Sequence, residues 1–176
     1  HGTAVAGVAA GTGNNSIGVT GAAFGADIAG HRLIACGFTD STAADALSYD
    51  NEDIDIYSNS WGPYDDGNRL EGPGPITVAA IEDSIYNGRS GLGNIYTWAA
   101  GNGLEVNDNS NYDGYASLRY AIAVAAITHY GDQSGYSEPG ANILVTAHSN
   151  GGTPDYEGIT TTDITGTGGY SGGDVT

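Results

Sequence analysis

The sequence has one cysteine, no lysine and only four basic side chains, all of them arginine. Each shortage excludes something. The lone Cys36 rules out any disulfide within the chain, and between Ala35 and Gly37 it reads as a small buried thiol. Four arginines against 21 Asp and Glu give a formal net charge of -17. Phosphate backbones are held by basic footprints, so nucleic acid is excluded as a partner. Cations, basic peptides and salty water suit such a surface better. Long apolar runs are also missing. No stretch nears the roughly 18–20 residues that cross a bilayer as a helix, so the chain carries no membrane segment of that kind.

What is present fits one domain. A chain of 176 residues, 39% of them hydrophobic, is long enough to build a core. Its 30 glycines follow no collagen-like period. Helical and β-rich patterns alternate along it. Residues 4–10 read as a helix behind His1-Gly2-Thr3, and residues 26–34 as a strand. Thr39, Asp40 or Ser41 caps a helix running to about Tyr49. Residues 54–59 form a strand, and residues 76–87 a helix stopped by Gly88. Residues 94–99, 120–126 and 143–146 read as further strands, and from Gly151 onward the chain is loop-like. The alternation predicts an α/β fold with three αβα layers around a mostly parallel sheet. In such folds the chemistry gathers beyond the carboxyl ends of the strands. Here Ser60-Trp61-Gly62-Pro63 follows one strand and Ala100-Gly101-Asn102-Gly103 another.

Two residue types stand out for reactivity. His1 heads a helix of small residues, where an imidazole serves as a general base near neutral pH. Asn102 follows a strand, where a fixed side-chain amide donates into an oxyanion hole and stabilises the transition state by ~3 kcal/mol.

The motifs that carry these residues resemble a known family. His1-Gly2-Thr3-Ala4-Val5-Ala6-Gly7 resembles the histidine motif of the subtilases. Residues 95–103, ending in Ala100-Gly101-Asn102-Gly103, are similar to that family's asparagine block. Residues 55–67, around Ser60-Trp61-Gly62-Pro63, resemble the signature of its kexin/furin branch. Asn107-Asp108, Asp113-Gly114-Tyr115 and Tyr136-Ser137-Glu138 continue the likeness in order, as far as Thr162-Asp163.

The resemblance implies a secreted or otherwise extracytoplasmic, monomeric serine endopeptidase that cuts peptides or proteins after Arg or Lys at P1, with calcium as cofactor. It assigns His1 as the base and Asn102 as the oxyanion donor. Ser60, Trp61 and Gly62 would pair with substrate as an edge strand. Asp65 and Asp113 would hold the P1 cation, a task that suits fixed carboxylates. Asp65, Asp108 and Glu138 match calcium ligands, since three close carboxylates repel without a hard cation. A second calcium loop would use Asn15 and the carbonyls of Thr12, Ile17 and Val19. Glu71 matches an acid favouring a basic P4 residue. Ala43 stands where a second such acid belongs, which points to a kexin-like dibasic or monobasic preference. Gly18, Ser110 and Gly140 occupy half-cystine positions of the family.

By the same resemblance, the triad's Asp would precede His1 and its Ser would follow Thr176. The 176 residues are then a piece of one catalytic domain, inactive in isolation. Gly169-Tyr170-Ser171-Gly172-Gly173 imitates the serine segment of trypsin-like enzymes, but in a Gly/Ser-rich tail such a match is cheap, and Ser171 is not taken as a nucleophile. The competing reading is a catalytically degenerate, calcium-dependent binding module, for which an oxyanion donor would have no use.

Overall fold

The computed structural model describes residues 1–170, and of Cys36 only the backbone; Ser171 lies outside that range. The described chain forms two compact units, residues 31–157 and residues 1–30 with 158 onward.

The larger unit is built on four parallel strands in the order β1-β2-β3-β4: β1 (Ile56–Asn59), β2 (Ile95–Ala99), β3 (Ala121–Ile127) and β4 (Ile143–His148). Neighbouring parallel strands need crossovers, and the helices α2 (Asp40–Leu47) and α3 (Pro75–Gly91) precede β1 and β2. The period of two decides which side chains enter the core. Tyr57, Tyr96, Trp98 and Ala123 are buried, while Ile56 and Ile95 are exposed. Register sets Tyr57 beside Tyr96 and the bulky Trp98 beside Ala123. The two tyrosine rings stack at 4.9 Å. Their hydroxyls donate to the carbonyls of Tyr49 and Leu47, which satisfies acceptors at the C-terminal end of α2. Leu47 of α2 and Ile81 of α3 complete this core.

The helix ends follow local chemistry. Thr39 caps α2 reciprocally: its hydroxyl accepts the Thr42 N–H at 3.1 Å, and the Thr42 hydroxyl accepts the Thr39 N–H at 2.9 Å. Pro75 opens α3, and Asp40 caps it from the neighbouring helix by accepting the N–H groups of Ile76 and Thr77, both at 2.9 Å. From Gly88 the backbone of α3 leaves helical geometry, because Arg89 and Ser90 take positive φ.

One expected element is missing. Residues 26–34 form no strand, and a 3₁₀ turn occupies Ile34–Cys36. A β-rich run forms a strand only against a neighbour's ladder, and no described strand pairs with it.

In the smaller unit, α1 (Gly2–Ala10) buries Gly7. Thr161 and Thr162 lie across this helix, and their hydroxyls donate to the carbonyls of Ala4 and Thr3 at 2.6 and 2.7 Å. A Cβ on Gly7 would collide with both hydroxyls, so only glycine lets this segment dock. As expected, the stretch from Gly151 to Tyr170 has no α-helix; a 3₁₀ turn sits at Gly166–Gly168.

Candidate active site

The dense chemistry lies where β1 and β2 end. Beyond β1, Ser60-Trp61-Gly62 runs on with no partner strand among the described residues. Trp61 instead anchors this segment. Its indole N–H donates to Asn59 Oδ1 at 3.1 Å, and its ring meets Trp98 and Tyr115 edge-on at 4.8 and 5.0 Å. Its carbonyl accepts the indole N–H of Trp98 at 2.6 Å. Gly62 runs close to Asp113, and a Cβ there would meet Asp113 Oδ2.

Beyond β2, the turn Gly101-Asn102-Gly103 rests on carboxylates. The Asn102 backbone N–H donates to Asp65 Oδ2 at 2.9 Å, and its side-chain amide reaches the same oxygen at 3.4 Å. The Gly103 N–H donates to Glu138 Oε1 at 2.9 Å. Gly101 has a φ of +103°, and a Cβ on it would fall on the Glu138 carboxylate. A Cβ on Gly103 would stand 2.6 Å from Asp108 Cβ, 2.9 Å from Asp65 Cβ and 3.1 Å from Glu138 Oε1. Both glycines therefore exist to let three acids approach the backbone on either side of Asn102.

Those acids converge. Asp65, Asp108 and Glu138 each offer an oxygen within 4.8 Å of the others; Asp108 and Glu138 are buried and Asp65 is exposed. Calcium bonds oxygen at about 2.4 Å, so ligands on opposite sides of one ion stand about 4.8 Å apart, and the hard all-oxygen donor set fits it. Asp113 stands on the wall of the same cleft, with Oδ1 accepting the N–H groups of Tyr115 and Ala116 at 2.7 and 3.3 Å. Burial first, and the neighbouring Asp65, Asp108 and Asp113 next, push the Glu138 carboxyl up to about 7, against the pull of the Gly103 N–H. Burial likewise raises Asp113 to about 6, although its two backbone donors oppose the shift. Carboxyls held this far above their ordinary range mark a site where acids outnumber the one lining base and added positive charge would be taken up.

The remaining expected residues are dispersed. Glu71 pairs in parallel with Asp113, at the edge of the cleft. Ala43 is fully buried in α2. Ser110 and Gly140 are adjacent, and Ser110 is joined to Asn142 by a hydrogen bond of 3.0 Å. In the smaller unit, His1 is the exposed N-cap of α1. Asn15 Oδ1 accepts the Ile17 N–H at 3.0 Å in a loop where Asn14, Ser16 and Gly18 all take positive φ. The carbonyls of Thr12, Ile17 and Val19 accept no hydrogen bond among the described residues. The sequence reading gives four cleft residues no role: Pro63, Tyr64, Tyr112 and Arg69. The signal for Arg69 was there to read, since it is the one base in the acid-rich run from Asp65 to Glu71.

The sequence profile of the Subtilase family, peptidase S8, matches residues 1–173. Furin-like protease 1 of Drosophila melanogaster is 40% identical over 161 residues, which are 92% of this chain and 15% of that protein. Proprotein convertase subtilisin/kexin type 6 of Rattus norvegicus is 42% identical over 164 residues, 93% of this chain and 17% of that protein. The chain thus spans less than a fifth of these two relatives. Among solved structures, a serine protease of Aeromonas sobria superposes with a TM-score of 0.79 at 27% identity, over 94% of this chain and 31% of that one. A protease of Pseudoalteromonas arctica superposes with a TM-score of 0.77 at 28% identity, over 100% of this chain and 51% of that one. These neighbours carry the three-layer α/β architecture expected from the sequence, and the chain belongs to the subtilase family, in its kexin- and furin-like branch.

Proposed function

We propose that this chain is part of a calcium-dependent serine endopeptidase that acts outside the cytoplasm and cleaves peptides and proteins after arginine or lysine. One observation carries the reading: four acids, Asp65, Asp108, Asp113 and Glu138, line a single cleft directly under the turn that bears Asn102. Asp65, Asp108 and Glu138 hold the calcium, which supplies the positive charge that lets three close carboxylates stay ionised. Asp113, with Asp65, faces the guanidinium or ammonium of the substrate. Desolvated carboxylates discriminate that cation from an apolar side chain. Ser60-Trp61-Gly62 pairs with the substrate backbone once a peptide supplies the strand it lacks.

In the reaction His1 accepts the proton of a serine hydroxyl and returns it to the leaving amine. The Asn102 side-chain amide donates to the oxygen that becomes negative in the tetrahedral intermediate. A second calcium loop uses Asn15 and the main-chain carbonyls of Thr12, Ile17 and Val19. The protein acts as a monomer. The test is turnover by the full-length protein, with calcium, of paired substrates that differ only in Arg or Leu at P1. A large preference for Arg is expected, and equal rates would defeat the proposal.

A further inference from the structure

Within the acidic cleft there is one base. Arg69 lines it, and its guanidinium is committed to two acids at the rim. Nε donates to Asp66 Oδ2 at 2.6 Å and Nη2 approaches the same oxygen at 2.5 Å, while Nη1 lies 3.5 Å from Glu71 Oε1. The guanidinium carbon also sits 5.8 Å from the centre of the Tyr64 ring. Glu71 is tied into the cleft wall, where its carbonyl accepts the Gly114 N–H at 2.6 Å and its N–H donates to the Tyr112 carbonyl at 3.2 Å. Those bonds set Glu71 beside Asp113, the acid assigned above to the substrate's first cation. A second cation on the same substrate would meet Asp66 and Glu71 next. Both already have an arginine, supplied by the chain itself.

We propose that Arg69 is a specificity-determining residue: its guanidinium occupies the Asp66–Glu71 pair and withholds it from a second basic side chain of the substrate. The inference rests on the proposed function. In a chain with a net charge of -17, every unneutralised acid near the cleft attracts any polycation. An internal arginine at the rim confines recognition to the acids deeper in the cleft. The rim pairs are partly exposed, so a substrate cation can displace Arg69 at a cost of no more than about five-fold.

The experiment uses the full-length protein with calcium. Substrates keep Arg at P1, and a second Arg is scanned through the upstream positions against Ala. The readout is the ratio of kcat/KM for the Arg and Ala peptides at each position, taken within each protein so that partial misfolding cancels. In the unmodified protein the ratio should stay within about two-fold of one. Arg69→Ala and the near-isosteric Arg69→Gln should raise it by about three- to five-fold at one position, through KM, and the gain should fade with added salt. Adding Glu71→Gln to Arg69→Ala should abolish the gain. A flat ratio in both Arg69 variants, with P1 Arg still preferred over Leu, would overturn the inference alone. A gain that survives Glu71→Gln would overturn it too. Loss of the P1 preference in the unmodified protein would sink the proposed function and this inference together.

Discussion

Among the single residues, Asn102 and Gly101 show how chemistry and geometry divide the work. Asn102 carries a donor, and its place in the turn is fixed through its backbone N–H on Asp65. The side-chain amide reaches the same Asp65 oxygen only at 3.4 Å, so it can turn from that long contact to act while the backbone bond holds position. Asn102→Ala in the full-length protein is expected to lower kcat by about 10²–10³ with KM little changed. Steady-state kinetics, with circular dichroism to confirm folding, check this; a KM effect without a kcat effect would make Asn102 a binding residue only. Gly101 does no chemistry but admits Glu138. Gly101→Ala forces a side chain into positive φ and onto a carboxylate. Calcium affinity should fall by about ten-fold or more, as it does when groups supporting metal ligands are disturbed. Titration calorimetry reads this directly, and unchanged affinity would separate Glu138 from the metal.

Among the elements, helix capping and the 110–140 connection carry the next expectations. Asp40 opens α2 yet caps α3, and its carboxyl is held below the ordinary 3.8 chiefly by the Thr77 hydroxyl, helped by the Ile76 and Thr77 N–H groups. A depressed pKa gives stability that is present above the unfolded value and lost as pH falls through the folded one. Asp40→Ala should thus lower Tm by a few degrees near neutrality, and the difference should close below about pH 3.8. A deficit that persists in acid would assign the loss to packing. Ser110 and Gly140 offer a second test. A Cβ on Gly140 would stand 2.8 Å from the Ser110 Cβ, against the roughly 3.8 Å of a disulfide, so a small opening of the backbone would allow one. The pair Ser110→Cys and Gly140→Cys should cross-link and stabilise by up to about 3–4 kcal/mol, from which strain and the lost Ser110–Asn142 hydrogen bond subtract. Tm with and without reductant measures it. These elements were largely legible in the sequence. Periodicity and caps placed α2, α3 and all four strands, and Gly-Asn-Gly marked the turn. The strand expected over residues 26–34 did not form, because composition records the fitness of a segment for a sheet but not the existence of a neighbour to pair with. Arg69 was legible as the one base in the acid-rich run from Asp65 to Glu71, but its pairing with Asp66 and Glu71 is a contact in space that the run alone does not specify.

For the molecule as a whole, charge governs behaviour. A net charge of -17 is a standing self-repulsion, and four of its acids meet in the cleft, where Glu138 is raised to about 7 and Asp113 to about 6, both chiefly by burial. A carboxyl whose pKa is higher folded than unfolded binds its proton more tightly in the folded state. The stability it contributes is complete below the unfolded value, 4.5 for Glu138 and 3.8 for Asp113, and is lost as pH climbs through about 7 and about 6. Without calcium, Tm should therefore decline between about pH 5 and pH 8. The proposed calcium would bind the ionised carboxylates, so its contribution should run the other way, small near pH 5 and largest near pH 8. Thermal unfolding of the full-length protein across that range, with chelator and with millimolar calcium, should give two curves that converge in acid and separate as pH rises. Glu138→Gln removes the group with the higher pKa and one of the three proposed calcium ligands together. It should flatten the decline in chelator and shrink the calcium increment at pH 8. Curves that stay parallel at every pH would mean that calcium binds elsewhere and that the four acids meet for the substrate alone.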